Sequence, residues 1–327
     1  MKSSDRFLSH AGCLFVVGSS TINTLRGNIA SSAKCDLLKS QPLMKFHLSL
    51  LIGTVLFASG FFHLMLLWSS GADWSGPVSL RKPGLFGVSA GVTVWSIAWV
   101  LTQLEPRRND QRLASFMSGG LLVEVGLITL QYWRGVPSHF NRATALDATI
   151  ESIMLGVILL VTAGIGWLCC RSRQLQPMIE SRAIAIRAGL WLLLVSCGLG
   201  LLATIAGEVN LATGRPPEVW GRAGILKYPH GAALHAIQVL PLLSLVLRKL
   251  RVPLDAWLLR AAVTSQVLFL ALALSQTLCG RGRTEVDLTS IYVLATLGSV
   301  FLLKPVRSRA SPWRHLPKRT SHQPGVR

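Results

Sequence analysis

The chain has 327 residues, 50% of them apolar and only 14% charged, and its mean hydropathy is +0.48. So little charge is too sparse to coat a soluble domain of this size, and a soluble globular enzyme is nearly excluded. Lys and Arg number 33 against 14 Asp and Glu, a formal net charge of +19; the six cysteines show no CxxC pair or regular spacing, so neither a disulfide scaffold nor a zinc knuckle is suggested.

Residues 1–44 are polar and rich in Ser, with one apolar run, 11–18, that is too short to span and has no small-residue cleavage site after it. Two readings stand for this segment: an extension upstream of a true start at Met44, or a flexible cytoplasmic tail. Eight apolar stretches then follow within a domain at 45–304: 46–68, 84–104, 113–133, 152–170, 188–206, 231–247, 261–279 and 288–303. About 20 mainly apolar residues cross a hydrocarbon core of roughly 30 Å, and helix satisfies the backbone there. The expected fold is therefore all-α, a polytopic bundle of about eight spans. Pro241 removes one helical hydrogen bond and should bend the sixth span. The eighth is short and abuts Asp287. Residues 305–327 read as a basic, disordered tail.

With eight spans, both tails and the even-numbered loops share one side, which carries 24 of the basic residues against 9 on the other. Lys and Arg are retained on the cytoplasmic side, so both termini are expected there. The charge reads as a topology signal and as contact with anionic lipid. Nucleic-acid binding is the weaker reading, since no folded basic domain exists to present a groove-reading element.

The distinctive polar residues gather on the opposite, outward side, in 76–83, 133–142 and 207–230. Trp68, Trp74, Tyr132, Trp133, Trp220 and Tyr228 cluster at the same level and read as an interfacial aromatic belt. Arg81 and Lys82 lie on the side where topology disfavours cations, just before a helix N-terminus that is itself partly positive. Pro83 and Gly84 leave amides facing outward, suited to an anion. One reading is an anionic solute or lipid headgroup held by Arg81, Lys82, Arg134 and Arg142, with His139 and Asn141 setting its orientation. The other is internal pairing with Asp73, Asp147 or Glu218.

Glu124 falls near the middle of the third span, where an ionisable group is costly and must face the bundle interior. Gln131 lies two turns along the same face. Proton coupling, substrate contact and helix-to-helix hydrogen bonding are the roles open to this face and to Gln238, which shares a face of the sixth span with His235. Of the eight histidines, His63, His139, His230 and His235 fall in the outer half or just outside it. A b-type haem or a metal ion would draw on His63, His139 and His235, because two helices donating one His each is ordinary for haem.

Gly87-Val88-Ser89-Ala90-Gly91 fits G-x-S-x-G, yet it lies within a span and follows no strand. It also fits G-x-x-x-G, in which small residues let helices approach closely, the better explanation. An intramembrane hydrolase using Ser89 with His235 is a remote alternative. There is no HExxH, Walker A or CxxCH pattern.

Gly76-Pro77-Val78-Ser79 followed by Arg81-Lys82-Pro83, the string from Trp133 to Asn141 (WRGVPSHFN), and His235-Ala236-Ile237-Gln238-Val239-Leu240-Pro241 resemble a family of uncharacterised bacterial inner-membrane proteins. The resemblance covers roughly residues 46–248. It implies a bacterial plasma-membrane location and a multi-pass fold, and no activity. The chain departs from that pattern at Ser75, where an acidic residue is expected, and at Leu80, where Trp is expected. The expectation is thus a multi-pass membrane protein that is more readily a binding or transport protein than an enzyme.

Overall fold

The computed structural model describes residues 43–175, 180–220, 223–224, 226–249, 256–282 and 285. A 3-10 turn at Leu43–Phe46 leads into α1 (His47–Ser70), α2 (Arg81–Gln103), α3 (Asp110–Trp133), α4 (Ala145–Ser172) and α5 (Glu180–Ala212). After a two-residue antiparallel pairing of Val219–Trp220 with Ala223–Gly224 come α6 (Lys227–Leu234), α7 (Ala236–Lys249) and α8 (Ala256–Leu278). Among the described residues, seven helical stretches are long and apolar enough to cross a membrane, with α6 and α7 together forming the sixth. The protein is an all-α bundle compatible with multiple membrane crossings. The expected eighth span at 288–303, Arg222 and both polar tails lie outside the described residues.

The most extensive helix pair is α1 with α2, and glycine is the reason. A Cβ on Gly60 would sit 2.3 Å from the Val88 amide nitrogen, and one on Gly87 would sit 2.7 Å from the Gly60 Cα. Gly53 and Gly91 meet in the same way one or two turns further along. Lipid tails are as apolar as leucine, so helices gain mainly from close packing and from hydrogen bonds, and the missing side chains permit both. Trp95 Nε1 donates to the Leu50 carbonyl across this contact at 3.2 Å.

A central core joins Leu56 of α1, Val94, Ile97 and Leu101 of α2, Met117 and Val125 of α3, Ile165 and Leu168 of α4, Leu190 of α5 and Ile237 of α7. A second cluster, with Leu192, Leu240 and Leu259, ties α5 and α7 to α8. Leu51, Phe61, Leu160, Ile205 and Leu242 stay more than half exposed, as a lipid-facing surface requires. At the end carrying residues 104–109, Arg171 pairs with Asp110, and Arg187 donates to the carbonyls of Ser172, Arg173 and Leu175. Arg187 thereby ties down the last carbonyl of α4 and two carbonyls of the turn that follows it.

The sixth span breaks before its proline. His235 belongs to neither α6 nor α7, while Pro241 lies inside α7. A proline ring meets the turn that precedes it, so the distortion falls upstream. Gln238 N donates to the His235 carbonyl at 3.1 Å, a tight-turn bond at the junction.

Candidate functional site

The end of the bundle formed by residues 71–80, 134–144 and 213–218 collects the polar side chains into distinct groups. In the first, Glu218 joins two elements: its Oε1 accepts from Lys82 Nζ and its Oε2 from Lys227 Nζ, each at 2.7 Å. Burial alone would raise the Glu218 pKa, but the Lys82 charge and the Lys227 hydrogen bond hold it at about 2. Arg81 joins the group through its charge. Its backbone amide donates to Ser79 Oγ at 3.3 Å, and no carboxylate among the described residues pairs with its guanidinium. Lys82 and Lys227 therefore share one carboxylate where α2 and α6 begin, with Arg81 a third cation close enough to act on Lys82.

The second group rests on the backbone of the α3–α4 connection, which does not stay on the surface. Ser138 and Asn141 are buried. The His139 ring lies 6.0 Å from that of Phe86, five residues into α2, and the Phe140 ring fills the space beside Gly207, five residues from the end of α5. At 1.5 Å rise per residue, both contacts lie about 8 Å inside the helix ends. Phe140 adopts φ +56°, a left-handed conformation unfavourable for a bulky residue, and its amide donates to Glu151 Oε1 at 2.9 Å. Asn141 ties the loop by donating from Nδ2 to the Pro137 carbonyl at 3.2 Å and accepting from the Ala143 amide.

This tuck delivers His139 to Glu124. Ser138 Oγ lies 2.9 Å from His139 Nδ1, and His139 Nε2 lies 4.0 Å from Glu124 Oε1. Glu124 is 6% exposed, and its Oε2 is buried without a hydrogen-bond partner. Burial, and then the nearby Lys82 charge, hold the His139 pKa down at about 4, against a smaller opposing pull from Glu218.

The remaining sequence candidates are tied into ion pairs of their own. Arg134 bonds Asp147 Oδ1 at 2.6 Å and also reaches Gln131 Oε1, while Gln131 Nε2 donates to the same Asp147 oxygen at 3.1 Å. Thr144 caps α4: its Oγ1 accepts from the Asp147 amide and donates to Asp147 Oδ2. Arg142 lies outside and bridges Glu151 and Glu208, each at 3.0 Å. Arg134 and Arg142 thus do not join Arg81 and Lys82, and Gln131 belongs with Arg134 rather than with Glu124.

The histidines also separate. His63 is buried, with Nδ1 2.7 Å from the Ser59 carbonyl and Nε2 accepting from Trp133 Nε1 at 3.3 Å, so both ring nitrogens are engaged. His235 is exposed and bonds Gln238 Oε1 at 2.7 Å, while Gln238 Nε2 donates to Thr93 Oγ1. Among the described residues no group of three or more His, Cys, Asp or Glu side chains is placed to hold a metal. Nor does the Ser89 hydroxyl meet a histidine there.

Sequence reasoning left Glu218 as one of three possible partners, counted Lys227 among the outward cations without singling it out for the site, and placed 133–142 in an external loop. Polarity alone marks such a segment as external; only the paired Pro137 and Asn141 around His139 hinted at a fixed loop. A shallow crevice between Lys82, Ser79, Ile128, Tyr132, Val136 and Ser138 lies beside this site, with no enclosed room for a water molecule. No family model, no curated protein and no solved structure matches the chain.

Proposed function

We propose that the protein is a multi-pass protein of a bacterial plasma membrane, with both termini cytoplasmic, that binds or transports a small anionic solute or lipid headgroup at its outward end. The observation that carries this reading is the charge count at the start of α2: Arg81, Lys82 and Lys227 against the single carboxylate of Glu218. That surplus sits at a helix terminus whose own dipole adds to it. An anion relieves the surplus; a cation or a neutral solute does not.

The site is narrower than the sequence suggested. Arg134, Arg142 and Asn141 hold the surrounding scaffold, and Lys227 replaces them around the anion. Mass spectrometry of the protein extracted in mild detergent tests the reading. An anionic lipid or solute retained by the wild type should be lost from the Arg81→Gln/Lys227→Gln double variant. Equal content in both samples would reject it.

A further inference from the structure

We propose that Glu124 is a proton-binding site inside the membrane, loaded and unloaded from the outward end through His139. The inference rests on the preceding reading for the outward direction alone; its chemistry needs no anion. Three features of the structure converge on it. First, Glu124 Oε2 is buried with no hydrogen-bond partner, so nothing fixed compensates a charge on that oxygen. Second, His139 is the one basic side chain among the described residues within 4.0 Å of the carboxyl. Third, the His139 ring is 31% exposed against 8% for the Glu124 side chain, so the imidazole is the more accessible member of the pair and stands between the loop and the buried acid.

The other ionisable groups on the elements packed around Glu124 are committed elsewhere. On α1, His63 is held by Ser59 and Trp133. On α2, Lys82 is paired with Glu218, and Arg81 is the first residue of the helix. On α4, Asp147 and Glu151 are paired with Arg134 and Arg142.

The backbone explains why the imidazole is held there. Phe140 keeps its left-handed φ only because Glu151 binds its amide and Gly207 admits its ring. Such strain costs on the order of 1–3 kcal/mol and persists where surrounding structure imposes it. Here it turns the loop inward and sets Nε2 toward the carboxyl. An imidazole takes a proton on one nitrogen and releases one from the other. In the loading step the imidazolium Nε2–H bond breaks, an O–H bond forms at Glu124 Oε1, and neutral imidazole and neutral carboxylic acid remain. Unloading reverses these changes. The 4.0 Å separation closes to hydrogen-bond reach by side-chain rotation of about 1 Å.

Infrared difference spectroscopy of the full chain in liposomes, without added anion, tests the proposal. A carboxylic-acid carbonyl band should appear on acidification, vanish in Glu124→Gln and shift in Glu124→Asp. In His139→Gln the band should persist while its hydrogen–deuterium exchange slows on the order of tenfold or more. The proposal is overturned if no acid band depends on Glu124, or if His139→Gln exchanges at the wild-type rate. Should Glu124→Gln fail to fold, the Glu124→Asp shift and the His139→Gln rate decide. An intact band in a protein that retains no anion rejects the anion reading alone; a retained anion with no band rejects this one alone.

Discussion

Replacing Glu218 by Gln removes the carboxylate that two lysines share while keeping the side chain's size. The Lys82 side chain is 10% exposed and that of Glu218 is 19%, whereas the Lys227 side chain is 41% exposed. Breaking a fully buried pair costs about 3–5 kcal/mol because it strands a charge, and an exposed pair contributes about 0–1 kcal/mol. Lys82 lies near the first limit and Lys227 near the second, so Glu218→Gln should destabilise the protein by about 2–3 kcal/mol. The stranded Lys82 ammonium causes most of that loss, so adding Lys82→Met should restore all but about 1 kcal/mol. Reversible unfolding in mixed micelles, followed by tryptophan fluorescence for all four members of the cycle, measures both quantities. A Glu218→Gln cost below about 0.5 kcal/mol, or losses that simply add in the double variant, would refute the assignment of Glu218 as the buried bridge.

Gly60→Ala places a methyl against the backbone of Val88 and Gly84 and should cost about 1–3 kcal/mol, whereas Gly126→Ala, which meets nothing within 4 Å, should be neutral in the same assay. Gly207→Ala would drive a Cβ to 2.3 Å from Phe140 Cζ; it should displace the 137–141 loop, seen as faster backbone amide exchange there. Acid should destabilise the protein in two windows, read by unfolding midpoints against pH. His139 is held neutral at about 4 against an ordinary 6.5, so its contribution is complete above 6.5 and lost as pH falls toward 4. After discounting for partial exposure this is about 1–2 kcal/mol, and His139→Gln should remove that window. Glu218 is held at about 2 against 4.5, so its contribution is complete above 4.5 and lost as pH falls toward 2. Glu218→Gln should flatten only this lower window.

The spans were legible because a bilayer-crossing helix must carry a long apolar run, a local property of the chain. Gly87 and Gly91 were equally legible: small residues four apart permit close approach, and α1 takes it through Gly53 and Gly60. The sequence also marked Arg81 and Lys82 as cations in need of a negative partner. It left the choice among Asp73, Asp147 and Glu218 open, because Glu218 lies 136 residues from Lys82 and long-range pairing follows from packing. Asp73 is occupied instead by Ser75, whose amide and hydroxyl lower its pKa, at the position where an acidic residue was expected. Burial of the His139 loop was illegible, since it depends on a left-handed Phe140 and on empty space beside a glycine in another helix. The shared face of His235 and Gln238 followed from helical spacing, whereas the break at His235 did not, because a proline's position fixes where a hydrogen bond is lost and not where the strain is relieved.

Thiol accessibility tests most directly whether the site faces outward. In a cysteine-free background, Ala143→Cys places a thiol on the exposed part of the His139 loop, and Arg108→Cys places one at the opposite end of the bundle. A membrane-impermeant maleimide applied to cells with a permeabilised outer envelope and an intact plasma membrane should label position 143 and spare position 108 until that membrane is opened. Labelling of 108 with protection of 143 would place the cationic cluster, His139 and the route to Glu124 on the cytoplasmic side and contradict the account.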